Sequence, residues 1–313
     1  MNPDFSEHRI FLTGATGFVG SHVASKLLLA GMQVHALCRN PPADPSPIHW
    51  HIGDLKNPAS LKEALIAARP HTVIHCAAYG IRHHERSHQE LIDINIQGTL
   101  SLMELAAHYG VQRWIQTGSC FEYPSQREPL TEEAIPAPPS LYGVTKVAST
   151  LLALQQGLLL HIPTTALRLF SVYGPFESKQ RLIPTLLASC LTEQPASLSS
   201  GHKIRDFVYV EDVAALYVAL ATTSHFPAGE IFNIGSGIST TLQEVGSLVE
   251  TLTEKSGYFH WGEKPDRPME HLSLVADITK SQKILQWKAK TSLEQGLTQI
   301  IRSQYGTECL NRA

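Results

Sequence analysis

Charge is scarce and evenly split in this 313-residue chain. Only 17% of residues are charged, and 25 Lys and Arg against 28 Asp and Glu leave a formal charge of −3. That balance gives no global attraction for nucleic acid or anionic lipid, and neither is expected as a partner. A long apolar run is also missing. The most apolar stretch, Leu151 to Ile162, is broken by Gln155, Gln156 and Gly157 and is too short to span a bilayer. Cysteine is sparse: Cys38, Cys76, Cys120, Cys190 and Cys309 are odd in number, scattered and free of Cys-x-x-Cys. A disulfide framework and a zinc site are therefore not expected, and a reducing cytosol fits. Met1 to Arg9 is polar, unlike a signal peptide. A cytoplasmic protein is the expectation. Repeats and low-complexity tracts are lacking too. What is abundant is apolar material, at 43%, enough for a large core.

That material is arranged in alternating patterns. Short apolar runs at Ile10–Leu12, Val34–Leu37, Ile48–Ile52, Thr72–His75, Trp114–Thr117 and Thr165–Leu169 predict strands. Helical spacing predicts helices at Phe18–Ala30, Leu61–Ala68, Leu91–Tyr109 and Leu141–Leu160. Strict alternation over residues 9 to 170 predicts an α/β fold, a Rossmann-type doubly wound parallel sheet with helices on both faces. After Gly174 the pattern changes to short helices (Ile183–Leu191, Val213–Ala221, Leu242–Leu252, Leu293–Arg302) among short extended runs (Phe207–Val210, Ile231–Ile234, Leu272–Ala276). The expected division is a dinucleotide-binding domain over 1–170, with segments about 207–235 returning to it. A smaller α/β substrate-binding lobe would cover 171–206 and 236–313.

Between the first strand and first helix lies Thr13-Gly14-Ala15-Thr16-Gly17-Phe18-Val19-Gly20. A pyrophosphate needs a tight turn, close backbone approach and a helix N-terminus with free N–H groups. Gly14, Gly17 and Gly20 can supply these; the alternative is an ordinary glycine turn. The second strand ends Leu37-Cys38-Arg39-Asn40, without the carboxylate that commonly holds the ribose diol of NAD. A guanidinium suits a 2′-phosphate, so NADP(H) is favoured and NAD(H) stays possible. The alternative for Arg39 is a solvated surface side chain. Asp54-Leu55, past the third strand, is placed to meet the adenine; for Asp54 turn capping is the competing reading.

Tyr142-Gly143-Val144-Thr145-Lys146 puts Tyr and Lys one helical turn apart. A phenol titrates near 10, so a neighbouring ammonium is expected to lower it towards catalytic use. A chance surface pair is the alternative. Ser119, just beyond the fifth strand, stands where such sheets bind ligands and can hydrogen-bond a reacting oxygen.

The glycine turn, Ser119 and Tyr142-x-x-x-Lys146, in that order, resemble the extended short-chain dehydrogenase/reductase family. Within it the chain resembles the nucleotide-sugar epimerase/dehydratase/4-ketoreductase group over essentially its whole length. His75-Cys76-Ala77-Ala78 resembles the family's fourth-strand end beside the cofactor, and Asn95-Ile96-Gln97-Gly98-Thr99 its Asn-x-x-Gly-Thr helix motif. Leu167 to Pro175, with Phe170, Ser171 and Val172, resembles the segment lining nicotinamide and sugar. Gly201 to Val213 is the most specific match, and its Arg205 corresponds to a nucleotide-diphosphate ligand. Arg267 would be a second, although a surface salt bridge is the plain alternative for each arginine.

Departures from the group sharpen the expectation. Its dehydratases carry Asp-Glu directly after the Ser/Thr, where this chain has Cys120-Phe121, and Glu122 should point to the other face. Ser171 replaces an Asn common in epimerases. The resemblance thus implies reduction of the C4 ketone of a nucleoside-diphosphate 4-keto-6-deoxyhexose. Tyr142 would be the proton donor, Ser119 would polarise the oxygen, and Lys146 would tune Tyr142 and hold the ribose. An NAD-dependent 4-epimerase is the alternative, and a non-catalytic NADP-binding regulatory protein a second. The resemblance also implies a homodimer through Leu91–Tyr109 and Leu141–Leu160, where Leu100, Leu102, Leu105, Leu151, Leu152 and Leu154 exceed one sheet-facing stripe. His83, His84 and His88, with Arg82, Glu85 and Arg86, form a polar run. No metal is expected there, because nothing completes a ligand set.

Overall fold

The computed structural model describes residues 5–43, 47–80, 87–266 and 271–306. The first half runs β1 (Arg9–Thr13), α1 (Phe18–Leu29), β2 (Gln33–Cys38), β3 (His49–Ile52), α2 (Pro58–Ala68) and β4 (Thr72–His75). It continues with α3 (His88–Ile92), α4 (Gly98–His108), β5 (Arg113–Ser119), α5 (Leu141–Leu159) and β6 (Thr164–Leu169). The second half comprises β7 (Ser171–Tyr173), α6 (Leu182–Thr192), β8 (Ala196–Leu198), β9 (Ile204–Arg205), β10 (Phe207–Tyr209) and α7 (Val210–Thr222). It ends with β11 (Ile231–Ile234), β12 (Thr240–Thr241), α8 (Leu242–Thr253), β13 (Phe259–Trp261), β14 (Ser273–Leu274), α9 (Thr279–Ile284) and α10 (Leu293–Tyr305).

Seven strands form one parallel sheet in the order β11-β6-β5-β4-β1-β2-β3. The order reverses between β1 and β4, the crevice where doubly wound sheets bind ligands. Apolar side chains cover both faces. Ile10, Leu12, Val34, Ile74, Ile115 and Leu167 meet α1 and α7 on one. Phe11, Leu37, Val73 and Trp114 meet α2, α4 and α5 on the other. Burial on both faces is why these strands read as short continuous apolar runs.

Beyond β6 a separate core gathers α6, α8 and α10 around Tyr173, Leu186, Leu187, Val245, Val249, Leu297 and Ile301. The chain also returns: β11 closes the main sheet beside β6, and Leu285, Trp287 and Ala289 pack on the α1/α7 face. Among the described residues, no helix is long and apolar enough to cross a membrane.

Two expectations need correction. Leu91–Tyr109 is not one uninterrupted α-helix, because a π-helical turn, Asp93–Gln97, separates α3 from α4. The extra residue of that turn directs Asn95 inward. Leu102 is fully buried in the core and belongs to the sheet-facing stripe.

Candidate active site

The glycine turn is a close-packed cradle. Gly14 has φ +77°, and a Cβ there would sit 2.7 Å from the Ala77 nitrogen. A Cβ on Gly20 would sit 2.1 Å from the Gly14 oxygen, so α1 starts directly against the turn. Gly17 caps α1 without a side-chain hydrogen bond, and no acidic residue stands in the first helical turn. Its leading N–H groups and positive dipole end are left for an anion. Thr16 is exposed, while Phe18 and Val19 are half-buried at the mouth. These features fit a dinucleotide pyrophosphate, since the space against the backbone is what glycine alone leaves.

The rest of the crevice is tied down by hydrogen bonds. Thr13 Oγ1 accepts from the Ala77 N–H at 3.1 Å and contacts His75 Nδ1 at 2.8 Å. Burial, and then the Lys146 charge, push His75 down to about 3, so it is neutral. Asn95 does not simply face the crevice. It accepts from the Tyr79 N–H at 2.8 Å and donates to the Tyr79 oxygen and Thr145 Oγ1, each at 2.9 Å. It staples the strand-end loop to α5. Asp54 accepts from the Lys56 N–H at 2.9 Å, a turn-capping bond, and Leu55 is buried against Gly98. Arg39 is exposed at the end of β2, and its side chain makes no hydrogen bond or ion pair among the described residues.

Ser119 ends β5 and caps a short 3-10 turn, Cys120–Glu122. Tyr142 opens α5, whose N-cap is Ser140. The two elements approach so closely that a Cβ on Gly143 would lie 2.2 Å from the Phe121 oxygen. The Ser119 hydroxyl is thereby brought close enough to the Tyr142 phenol to influence its proton affinity. Lys146, one turn on, is buried, and its ammonium donates to the Thr117 oxygen at 2.6 Å.

The electrostatics differ from expectation. Burial pushes the Tyr142 phenol up, and the Ser119 hydroxyl pulls against it. The ammonium expected to lower it is engaged with the Thr117 carbonyl instead. Burial also lowers Lys146, opposed by Glu122 and Cys76.

Beneath Ser119 lies a scaffold that the sequence did not reveal. Glu122 is fully buried. Its carboxylate accepts from the Ser119 N–H and Arg168 Nε, both at 2.8 Å, and from Thr150 Oγ1 at 2.9 Å. Arg168 in turn lies 4.5 Å over the Tyr123 ring and donates to its hydroxyl. Glu122 thus faces the core and holds the Ser119 turn from behind.

Cys120 and Phe170 are buried together with Tyr123. Val172 is buried beside the α1/α7 core, and Ser171 is half-buried with its N–H on the Asp206 oxygen at 2.9 Å. Arg205 is buried on β9, and its charge leads those drawing down Cys120, whose thiol burial raises to about 12. Cys76, at the β4 end, is raised to about 11 by burial and accepts from Thr117 Oγ1 at 3.2 Å. Asp206 is a hub: its carboxylate accepts from Ser236 N–H and Oγ at 2.6 Å each, Gly237 N–H at 2.9 Å and Ala276 N–H at 3.1 Å. Arg181, at the α6 N-cap, is a cation sequence reasoning missed; its charge reaches both Tyr142 and Cys120. Lys179-Gln180-Arg181, just past Gly174-Pro175, was the available signal. Tyr173 is a core residue, while Phe176 is 75% exposed with φ 64°. Arg267 and the run 82–86 lie outside the described residues. Among those described, no group of three His, Cys, Asp or Glu could hold a metal ion.

Known proteins resemble this chain over nearly its whole length. The UDP-glucuronate 4-epimerase of Thermodesulfobacterium geofontis (strain OPF15) is 29% identical over 93% of this chain and 94% of its own. The dTDP-6-deoxy-L-talose 4-dehydrogenase (NAD(P)(+)) of Kitasatospora kifunensis is 28% identical over 96% and 97%. The solved structure of MoeE5 in complex with UDP-glucuronic acid and NAD superposes with a TM-score of 0.85 at 31% identity, covering 92% of this chain and 96% of MoeE5. The sequence pattern of the NAD dependent epimerase/dehydratase family matches residues 10–235. With that pattern spanning the glycine turn, Ser119, Tyr142 and Lys146, the chain belongs to the NAD dependent epimerase/dehydratase family.

Proposed function

We propose that this protein is an NAD-dependent 4-epimerase of a nucleoside-diphosphate hexose. The observation that carries the reading is the close approach of the first turn of α5 to the Ser119 turn, 2.2 Å from a Gly143 Cβ to the Phe121 oxygen, with Tyr142 one helical turn from buried Lys146. It supports an acid-base pair that would deprotonate and reprotonate a sugar C4 hydroxyl. The epimerase relative and the sugar nucleotide held by MoeE5 support C4 chemistry on such a substrate. Cys120-Phe121 offers no acid-base pair for eliminating water, which speaks against dehydration.

NAD, when bound, supplies reversible hydride exchange with the sugar carbon. Gly14, Thr16, Gly17, Phe18, Val19 and Gly20 would hold its pyrophosphate. Leu55, Cys76, Ala77, Ala78, Phe170 and Val172 would line the rest, with Asp54 near the adenine. Asn95 keeps the 77–79 wall in place. Ser119 orients the C4 oxygen and Tyr142 carries its proton. Lys146 would meet the ribose hydroxyls and favour the phenolate. Arg205 and Arg267 bind the diphosphate, so that binding energy remote from C4 positions it. Residues 1–170 with 207–235 would serve the cofactor, and 171–206 with 236–313 the sugar nucleotide.

Reduction of a 4-keto-6-deoxy sugar nucleotide is a second reading, and the C-terminal end of β2 favours it. Cys38-Arg39 presents an unpaired guanidinium rather than a carboxylate, which suits exchangeable NADP(H). Ser171 and the talose 4-dehydrogenase relative point the same way. Purified protein separates the two. An epimerase interconverts UDP-glucose with UDP-galactose, or the two UDP-uronates, with no added cofactor, and Tyr142→Phe abolishes this. NADPH consumption with a keto-sugar, without interconversion, replaces it with the reductase; neither activity overturns both.

We also propose a homodimer. Val144 (48% exposed), Leu151 (49%) and Leu158 (71%) recur every seven residues along α5, an apolar seam left in water. A monomeric mass by light scattering would refute it.

A further inference from the structure

The amino ends of β1, β4 and β5 lie at the opposite edge of the sheet from the glycine turn and Ser119. With seven residues in β5, about 20 Å separates this edge from Ser119. A shallow concavity of about 410 Å3 opens here, lined by Arg9, Arg69, His71 and Tyr109 with apolar Ile66 and Pro70. Nothing in the C4 chemistry uses it.

Positive charge is gathered at this edge. Arg9 Nε donates to the Arg69 backbone oxygen at 2.7 Å, which draws the two arginines together. The Arg69 side chain makes no hydrogen bond or ion pair among the described residues. Its backbone is left-handed, with φ 42° and ψ 56°, at the C-cap of α2. Glycine would adopt that conformation without strain, so an arginine is held there at a cost. His8 stacks on His71 at 5.3 Å, and the charge of Arg113 reaches His8. Burial lowers both imidazoles; the charges of Arg113 and Arg9 lower His8 further, and that of Arg9 lowers His71. Glu7 is the carboxylate that acts the other way on His71.

One contact is mismatched. His71 Nδ1 accepts from the Arg9 backbone N–H at 3.1 Å. A neutral imidazole has a single acceptor nitrogen, so Nε2 then carries the proton. Yet Nε2 lies 3.2 Å from the Arg9 guanidinium, which can only donate. Donor faces donor. An anion that accepts from the imidazole N–H and the guanidinium together satisfies both.

We propose that this concavity is an anion site for a phosphate-bearing small molecule, held by the guanidinium groups of Arg9 and Arg69 with His71 Nε2–H as a third donor. The planar guanidinium fork matches phosphate oxygens, and two such forks supply the charge a phosphate requires. Tyr109, Ile66 and Pro70 form an apolar wall for whatever carries the phosphate.

The test is a titration of the intact protein with inorganic phosphate at constant ionic strength, at about pH 7.5, above the ordinary imidazole range. Nitrogen-15 resonances of the His8 and His71 rings are followed, with a nucleoside monophosphate run in parallel. A saturable shift is expected. Arg69→Gln and Arg9→Gln should each weaken it by about tenfold or more, while Arg205→Gln, at the opposite end of the sheet, leaves it unchanged. Tighter, Arg69-dependent binding of the monophosphate identifies a nucleotide as occupant; equal binding identifies phosphate alone. The absence of a saturable shift, or an unaltered one in Arg69→Gln, overturns the site. Because the Arg69 side chain is exposed, that variant decides the matter even if Arg9→Gln fails to fold.

Discussion

Gly143→Ala tests the geometry on which the site depends. The new methyl would lie 2.2 Å from the Phe121 oxygen and 2.6 Å from Pro138 Cβ. Ordinary carbon contacts are about 3.5 Å, so α5 must part from the Ser119 turn by about 1 Å. Gly143 is not in the left-handed region, so the cost is steric and not conformational. Two effects on stability oppose each other. Overpacking costs about 1–3 kcal/mol, and replacing glycine within a helix returns about 1 kcal/mol. Stability should therefore fall by about 0–2 kcal/mol. Catalysis has no such compensation. Tyr142 precedes the altered residue, and Ser119 caps the turn it strikes, so the two side chains part. A displacement of about 1 Å at reacting groups costs about 100-fold in rate. Thermal unfolding and steady-state turnover of a nucleotide sugar, measured on one preparation, would show a folded enzyme with kcat reduced about 100-fold. A variant with wild-type kcat would refute the claim that this contact aligns the pair.

Glu122→Gln should destabilise the fold by about 3–5 kcal/mol, because it leaves the Arg168 guanidinium buried without its counter-charge; a loss well below that in urea unfolding would deny the pair its scaffold role. Acid should loosen the β2–β3 edge. His35, buried and stacked on His49 and His51 at 4.7 and 5.3 Å, is lowered to about 4 by burial first and then by those rings. Since its folded pKa lies below the unfolded value near 6.5, the unfolded chain binds the proton more readily. Stability is full above about pH 6.5 and declines towards pH 4, and His35→Phe should flatten that decline in thermal melts. Arg39→Gln should weaken NADP(H) binding about tenfold or more and leave NAD(H) unchanged, if Arg39 meets the 2′-phosphate; equal effects on both, by fluorescence titration, would dismiss it.

The strands of the main sheet were legible because parallel strands buried on both faces appear as short apolar runs stopped by polar or glycine residues. β4 and β11 fall at the predicted residues. The π turn was not legible. Its Asn95 obeys helical spacing on either count, and only its bonds to Tyr79 and Thr145 select the wider turn. The short strands β8, β9, β12 and β13 have two or three residues each, too few to show a period, whereas β14 falls within the predicted run Leu272–Ala276. In the site, Ser119, Tyr142 and Lys146 could be named because each belongs to a local motif. Glu122 and Arg168 could not be paired in advance, since 46 residues separate them and only the β5–β6 alignment brings them together. The Thr117 carbonyl that holds Lys146 was illegible for a related reason: spacing places an ammonium one turn from Tyr142, but not its partner.

The four-donor carboxylate of Asp206 also constrains the order of biosynthesis. Its partners come from residues 236, 237 and 276, so it is complete only after the last of these has been translated. A nascent chain ending at β11 already holds all seven strands of the main sheet, yet none of the four donors that Asp206 engages. The sheet can thus be complete in the growing chain while this strut still waits for residues 236, 237 and 276, the last of them some forty residues beyond β11.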